Sequence, residues 1–75
     1  MEQLVSYIAK TLVTMPEQVE VKRTETDQAV TIELHVAPED MGKVIGKQGR
    51  IAKSIRTLVK AATIKDEKPT FVEIL

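Results

Sequence analysis

The sequence predicts an α+β fold with the element order α-β-β-α-α-β, three helices covering one face of a three-stranded sheet. Three observations carry that expectation. Apolar residues recur at helical spacing near the N-terminus and again after residue 50, apolar and polar residues alternate over residues 19–22 and 30–36, and Gly46 and Gly49 break the chain between two helical segments. Seventy-five residues suit a single domain, 1–75, with a thin core, since folding at this length buries only about 60 % of the surface of the unfolded chain.

From the N-terminus, Leu4, Val5, Ile8, Leu12 and Val13 share one side of a helix predicted over residues 2–14. Met15-Pro16 ends it, because proline confines the residue before it to extended geometry. Val19-Glu20-Val21-Lys22 alternates and opens a first strand. Thr26-Asp27-Gln28 offers the short polar residues of a tight turn, after which Val30, Ile32, Leu34 and Val36 alternate with Thr31, Glu33 and His35 in a second strand, antiparallel to the first. Pro38-Glu39-Asp40 sets proline and two carboxylates at the mouth of a short helix over residues 38–45, with the carboxylates as its caps. Beyond Gly49, the residues Ile51, Ile55, Leu58, Val59 and Ala62 form the apolar stripe of the strongest helix. Lys53, Arg56 and Lys60 lie opposite that stripe, with Arg50 to one side. Asp66-Glu67-Lys68-Pro69 is a polar turn, and residues 70–75 form a closing strand. Tyr7 and Phe71, the only aromatic residues, are expected to pack in the core or at its edge.

Net charge is zero, but its distribution is uneven. Residues 1–40 hold three basic against eight acidic side chains, net −5, and residues 66–75 hold one against three, net −2. Between them, Lys43, Lys47, Arg50, Lys53, Arg56, Lys60 and Lys65 stand with no acidic residue, net +7. Such segregation suits a domain that turns one face to phosphates. The absence of cysteine removes a disulfide framework and a thiolate zinc site, and His35 is a lone surface histidine without partners for metal or acid–base work. No apolar run approaches a membrane span and Met1-Glu2-Gln3 does not begin a signal-like segment, so a cytoplasmic protein is expected. No nucleophile, base and orienting group come together, so no enzyme, cofactor or metal is expected.

Two glycines this close cost a helix about 1 kcal/mol each, so their freedom has to serve a purpose. Without Cβ atoms the backbone turns sharply and lets another backbone approach, while the amides opening the next helix present the positive end of its dipole. A phosphodiester is the natural guest, with Lys47 inside the loop, Lys43 a turn before it, and Arg50 and Lys53 just after it. A nucleotide-binding P-loop does not fit. The gap between Gly42 and Gly46 is three residues instead of four, and Gln48 stands where a hydroxyl side chain has to meet magnesium.

The stretch Gly42-Lys43-Val44-Ile45-Gly46-Lys47-Gln48-Gly49-Arg50 resembles the VIGxxG signature of KH domains, whose GxxG loop clamps about four nucleotides of backbone. The element order resembles the type II, bacterial version of that fold. Length, N-terminal helix, loop position and closing strand are similar to the small stand-alone bacterial KhpA family over essentially the whole chain. The resemblance implies a single-stranded RNA ligand held with low sequence specificity. Gly46 and Gly49 would allow the loop geometry, Lys47 and Gln48 would meet phosphate and sugar, Lys43, Arg50 and Lys53 would line the rim, and Ile45 would help wall the groove for bases. In many KH domains a large apolar residue stands three positions after the second glycine, where this chain has Ala52. The resemblance further implies a homodimer, a heterodimer with a larger KhpB-type KH protein, or both, and a role in post-transcriptional regulation or as an RNA chaperone. The alternative function is a dimerising protein-interaction module with RNA secondary. RNA and single-stranded DNA are both open at this point.

Overall fold

Alternation over residues 30–35 becomes the middle strand of the sheet, because Val30, Ile32 and Leu34 all turn to one face and are buried there. The computed structural model describes residues 1–75. Its elements are α1 (Glu2–Leu12), β1 (Glu20–Glu25), β2 (Val30–His35), α2 (Met41–Ile45), α3 (Arg50–Ala62) and β3 (Thr70–Ile74), with single 3-10 turns at Pro16–Gln18, Pro38–Asp40 and Lys47–Gly49. The strand order is β1-β2-β3. β1 pairs antiparallel with β2, as its hairpin dictates, and β3 returns parallel to β2 after the helical crossover. At the hairpin, the Thr26 hydroxyl accepts the amides of Gln28 and Ala29, so a side chain supplies the turn's hydrogen bonds.

The core joins Val5 and Ala9 of α1, Ile32 and Leu34 of β2, Val44 of α2, Ile55 and Val59 of α3, and Val72 of β3. Burial of side chains the size of Ile32 or Leu34 stabilises by about 1.5–3 kcal/mol each. The three helices therefore cover one face of the sheet, and the other face carries Glu20, Lys22, Thr31, Glu33, His35, Phe71 and Glu73.

Several expectations are corrected. α1 stops at Leu12 instead of running to residue 14, because Val13 is extended (φ −92°, ψ 161°) and a buried carboxylate takes the next amides. That carboxylate is Asp40. It does not cap the helix it precedes. It accepts the Thr14 amide at 3.1 Å, the Thr14 hydroxyl at 2.8 Å and the Met15 amide at 3.0 Å, pinning the end of α1 to the start of α2. Although burial alone raises its pKa, those three hydrogen bonds and the nearby Lys43 outweigh it and hold the carboxyl below its usual range. Residues 38–45 form a 3-10 turn followed by a five-residue α2, not one helix.

The apolar stripe of α3 is turned from its predicted position. Ala52, Ile55 and Val59 are the buried residues, while Leu58, roughly 90° from the centre of that trio at about 100° per residue, is 53 % exposed. The small residue at position 52 is thus a core residue. Tyr7 and Phe71 are not packed inside, being 69 % and 55 % exposed.

Candidate nucleic-acid interface

α2 ends at Ile45 because Gly46 adopts φ 77° and ψ 177°, a conformation open to glycine and strained for any other residue. Its N–H donates to the Gly42 carbonyl at 2.9 Å and closes the helix. Gln48 (φ 58°, ψ 24°) and Gly49 (φ 74°, ψ 15°) follow in the left-handed region, so three of the four loop residues hold positive φ. Gln48 is the one non-glycine residue of the chain in that state, at a cost of about 1–2 kcal/mol. The two glycines hold their positive φ without strain, and a single strained residue such as Gln48, kept at a turn, is a feature of sites where geometry serves a ligand.

The two glycines are required for different reasons. A Cβ on Gly46 would stand 2.6 Å from Ile51 Cγ1 and 2.9 Å from both Cβ and Cδ1 of that residue, so the first turn of α3 packs directly against the loop. Nothing lies within 4 Å of a Cβ built on Gly49, and only its backbone conformation calls for glycine. Gly49 is the N-cap of the thirteen-residue α3, and no side chain satisfies the amides there. The Arg50 amide donates to the Lys47 carbonyl, and the amides after it lie at the positive end of the helix dipole, which favours an anion.

Lys43, Lys47, Gln48, Arg50 and Lys53 are all exposed around this turn, and Ile45 is 36 % exposed beside buried Val44. The Arg50 guanidinium donates through Nη2 to Gln48 Oε1 at 3.3 Å, which leaves the amide nitrogen of Gln48 as the group free to meet a ligand. The chain's three ion pairs join Arg23 to Glu2 and Glu25, and Lys68 to Glu25. None of the seven cations of residues 41–65 takes part, so their charge is not neutralised from within.

From the loop, α3 runs about 20 Å, and Arg56 on it reaches β3, an edge strand of the sheet. Between them lies a groove of about 500 Å³ whose lining includes Arg56, Lys60, Ile64, Lys68, Phe71 and Val72. The loop opens α3 and the groove flanks its far half, so the helix is bordered by cations at its start and by a lining of basic, apolar and one acidic side chain, Asp66, at its end.

The sequence model of the KhpA/KhpB KH domain matches residues 2–74. The chain belongs to the KhpA/KhpB family of KH domains. Over all 75 residues and the full length of each relative, it is 61 % identical to the RNA-binding protein KhpA of Caldanaerobacter subterraneus subsp. tengcongensis. On the same terms it is 59 % identical to that of Clostridium perfringens and 57 % identical to that of Clostridium acetobutylicum. No solved structure matches the chain. This family is non-enzymatic, and the KH domain here is read as a binding module.

The sequence brings the loop residues to one turn, where their side chains are exposed, and gives little sign of the groove between α3 and β3. Phe71 was legible: Val72 and Ile74 point inward, so Phe71 and Glu73 share the outward phase of the strand. Ile64, 79 % exposed just beyond α3, gave no periodic signal of its own. Arg56 carries a contact that spacing does not reveal, a hydrogen bond from its Nε to the Val72 carbonyl at 3.3 Å.

Proposed function

We propose that residues 1–75 act as one cytoplasmic KH domain that binds short single-stranded RNA. Gly46, Lys47, Gln48 and Gly49 clamp the backbone, Lys43, Arg50 and Lys53 neutralise it, and Ile45 walls the groove. The observation that carries this reading is a four-residue loop with three residues at positive φ, opening an uncapped helix amid unpaired cations. The close packing of Gly46 against Ile51 favours this loop shape before the ligand arrives, which lowers the ordering cost of binding. Phosphate contacts dominate such a surface, which gives modest affinity, low sequence specificity and a steep fall with salt. The relatives' printed name, RNA-binding protein, supports RNA as the ligand. A role in post-transcriptional regulation or as an RNA chaperone follows from binding many transcripts weakly.

The test is Lys47→Asp combined with Gln48→Asp, assayed by fluorescence anisotropy and by crosslinking to RNA in cells. The double variant keeps its circular dichroism spectrum and loses RNA. Normal RNA binding by that variant refutes the clamp.

Pairing is the concurrent reading, with a second copy or with a larger KhpB-type KH protein. It is favoured by Leu58, 53 % exposed on α3 in a chain with a thin core. Two coupled grooves gain avidity through effective concentration. Light scattering across a concentration series tests the homodimer, and a monomer throughout counts against it.

A further inference from the structure

In the groove between α3 and β3, one side chain is held in a way that bears on base identity. Arg56 Nε donates to the carbonyl of Val72 at 3.3 Å, and Val72 lies in an edge strand. That bond ties the guanidinium to the rim of the sheet. Its two terminal nitrogens make no hydrogen bond or ion pair within the chain. With Nε engaged, the group presents its Nη1–Nη2 edge, a planar pair of donors with no acceptor. Ile64 and Phe71, 79 % and 55 % exposed, line the same groove. Apolar surface of that kind favours a flat nucleobase over a hydrated phosphate. Arg56 also stands about 9 Å along α3 from Arg50, within reach of a strand clamped at the loop.

We propose that Arg56 is a specificity-determining residue that reads a base presenting two adjacent acceptors on one edge, guanine or cytosine. The inference rests on the RNA-binding reading above and adds selectivity at one position to an otherwise phosphate-directed surface. Guanine offers O6 and N7 together, the commonest partner of a guanidinium fork. Cytosine offers O2 and N3 on its Watson–Crick edge. Adenine and uracil place a donor beside each acceptor, so one guanidinium N–H meets another donor and is left unpaired.

The experiment is fluorescence anisotropy on the full chain with a labelled uridine octamer and its single-substitution series, in which one guanosine, cytidine or adenosine is placed at each position. The best guanosine or cytidine octamer binds about 5- to 100-fold tighter than the uridine octamer, the range of a good bidentate pair. No adenosine octamer gains. Arg56→Lys keeps the charge and lacks the fork, so it loses the preference for guanosine or cytidine over uridine. Where guanosine is preferred, 7-deazaguanosine, which lacks the N7 acceptor, loses the gain. Equal binding of all series by the native protein, a preference that survives in Arg56→Lys, or a gain that survives with 7-deazaguanosine overturns the inference and leaves RNA binding standing. Failure of every octamer to bind at about 50 mM salt overturns the RNA-binding reading and this inference with it.

Discussion

Replacing Gly46 by alanine tests the central claim, that the loop's shape is set jointly by its backbone and by the helix packed on it. Two costs are expected. Alanine at φ 77° and ψ 177° is strained by about 1–3 kcal/mol. The new methyl also lands within 2.6–2.9 Å of three Ile51 atoms, an overpacking of about 1–3 kcal/mol. Together they approach the whole stability of a 75-residue domain, about 4–11 kcal/mol. Gly49→Ala meets no neighbour and bears only the left-handed backbone cost, about 1–2 kcal/mol. The two costs at Gly46 separate in a double-mutant cycle with Ile51→Ala. Truncating Ile51 removes Cγ1 and Cδ1, two of the three atoms met, and leaves Cβ at 2.9 Å and the backbone strain, so the double variant is more stable than the sum of the singles by about 1–2 kcal/mol. Urea unfolding of the four proteins gives the coupling directly. Additivity within about 0.5 kcal/mol refutes the packing half of the reasoning. A Gly46→Ala cost no greater than that of Gly49→Ala refutes it from the other side.

Gly42 has open space around it and ordinary helical geometry, so Gly42→Ala raises stability by up to about 1 kcal/mol, read from the urea midpoint, with RNA affinity unchanged. Asp40 titrates below its ordinary value of 3.8 in the fold, so its contribution is complete above that value and disappears as pH falls through the folded pKa. Asp40→Asn flattens the acid limb of the melting-temperature profile. It also lowers the melting temperature at pH 7, because the Thr14 and Met15 amides donate to different carboxylate oxygens and asparagine sets an NH2 donor against one of them; an unchanged melting temperature there argues against the Asp40 tie. Lys53→Ala removes one phosphate contact and reduces the slope of log affinity against log salt by about 0.7, measured with uridine oligomers, while Lys10→Ala on α1 leaves it unchanged.

The helix and strand order was legible because each element obeys a single periodicity, and Gly46 and Gly49 mark the loop without ambiguity. Asp40 was misread for a physical reason. A carboxylate beside a helix start suits a local cap, and only the folded chain brings Thr14 and Met15, some 25 residues earlier, within reach of it. Leu58 was misplaced because a stripe read from apolar residues alone ignores Ala52, a weak hydrophobe whose small volume lets α3 approach the rest of the core. The Arg56–Val72 bond joins residues 16 apart across a helix-to-strand turn, and no local pattern encodes it.

A neutral chain can hold a polyanion only if its own carboxylates are kept from the binding face. Three devices do this. Asp40 is buried and fully hydrogen-bonded, and Glu25 is drawn below its ordinary value by Lys68 first and Arg23 second, at the far end of the β1–β2 hairpin. Glu20, Glu33 and Glu73 share the sheet face turned away from the helices. Even the smallest dimension of the molecule, 16 Å, is about twice the Debye length of roughly 8 Å at physiological salt. Glu20 and Glu33 are therefore screened from a strand lying along α2 and α3, which meets the seven cations of residues 41–65 and not the net charge of zero, whereas Glu73 shares β3 with Phe71 of the groove. At low salt the screening weakens and the acidic face begins to oppose binding. Neutralising it with Glu20→Gln and Glu33→Gln thus raises RNA affinity more at about 10 mM salt, where the Debye length is about 30 Å, than at about 150 mM. A gain equal at both salt concentrations would show that those carboxylates act on the ligand directly and that the separation of faces does not hold.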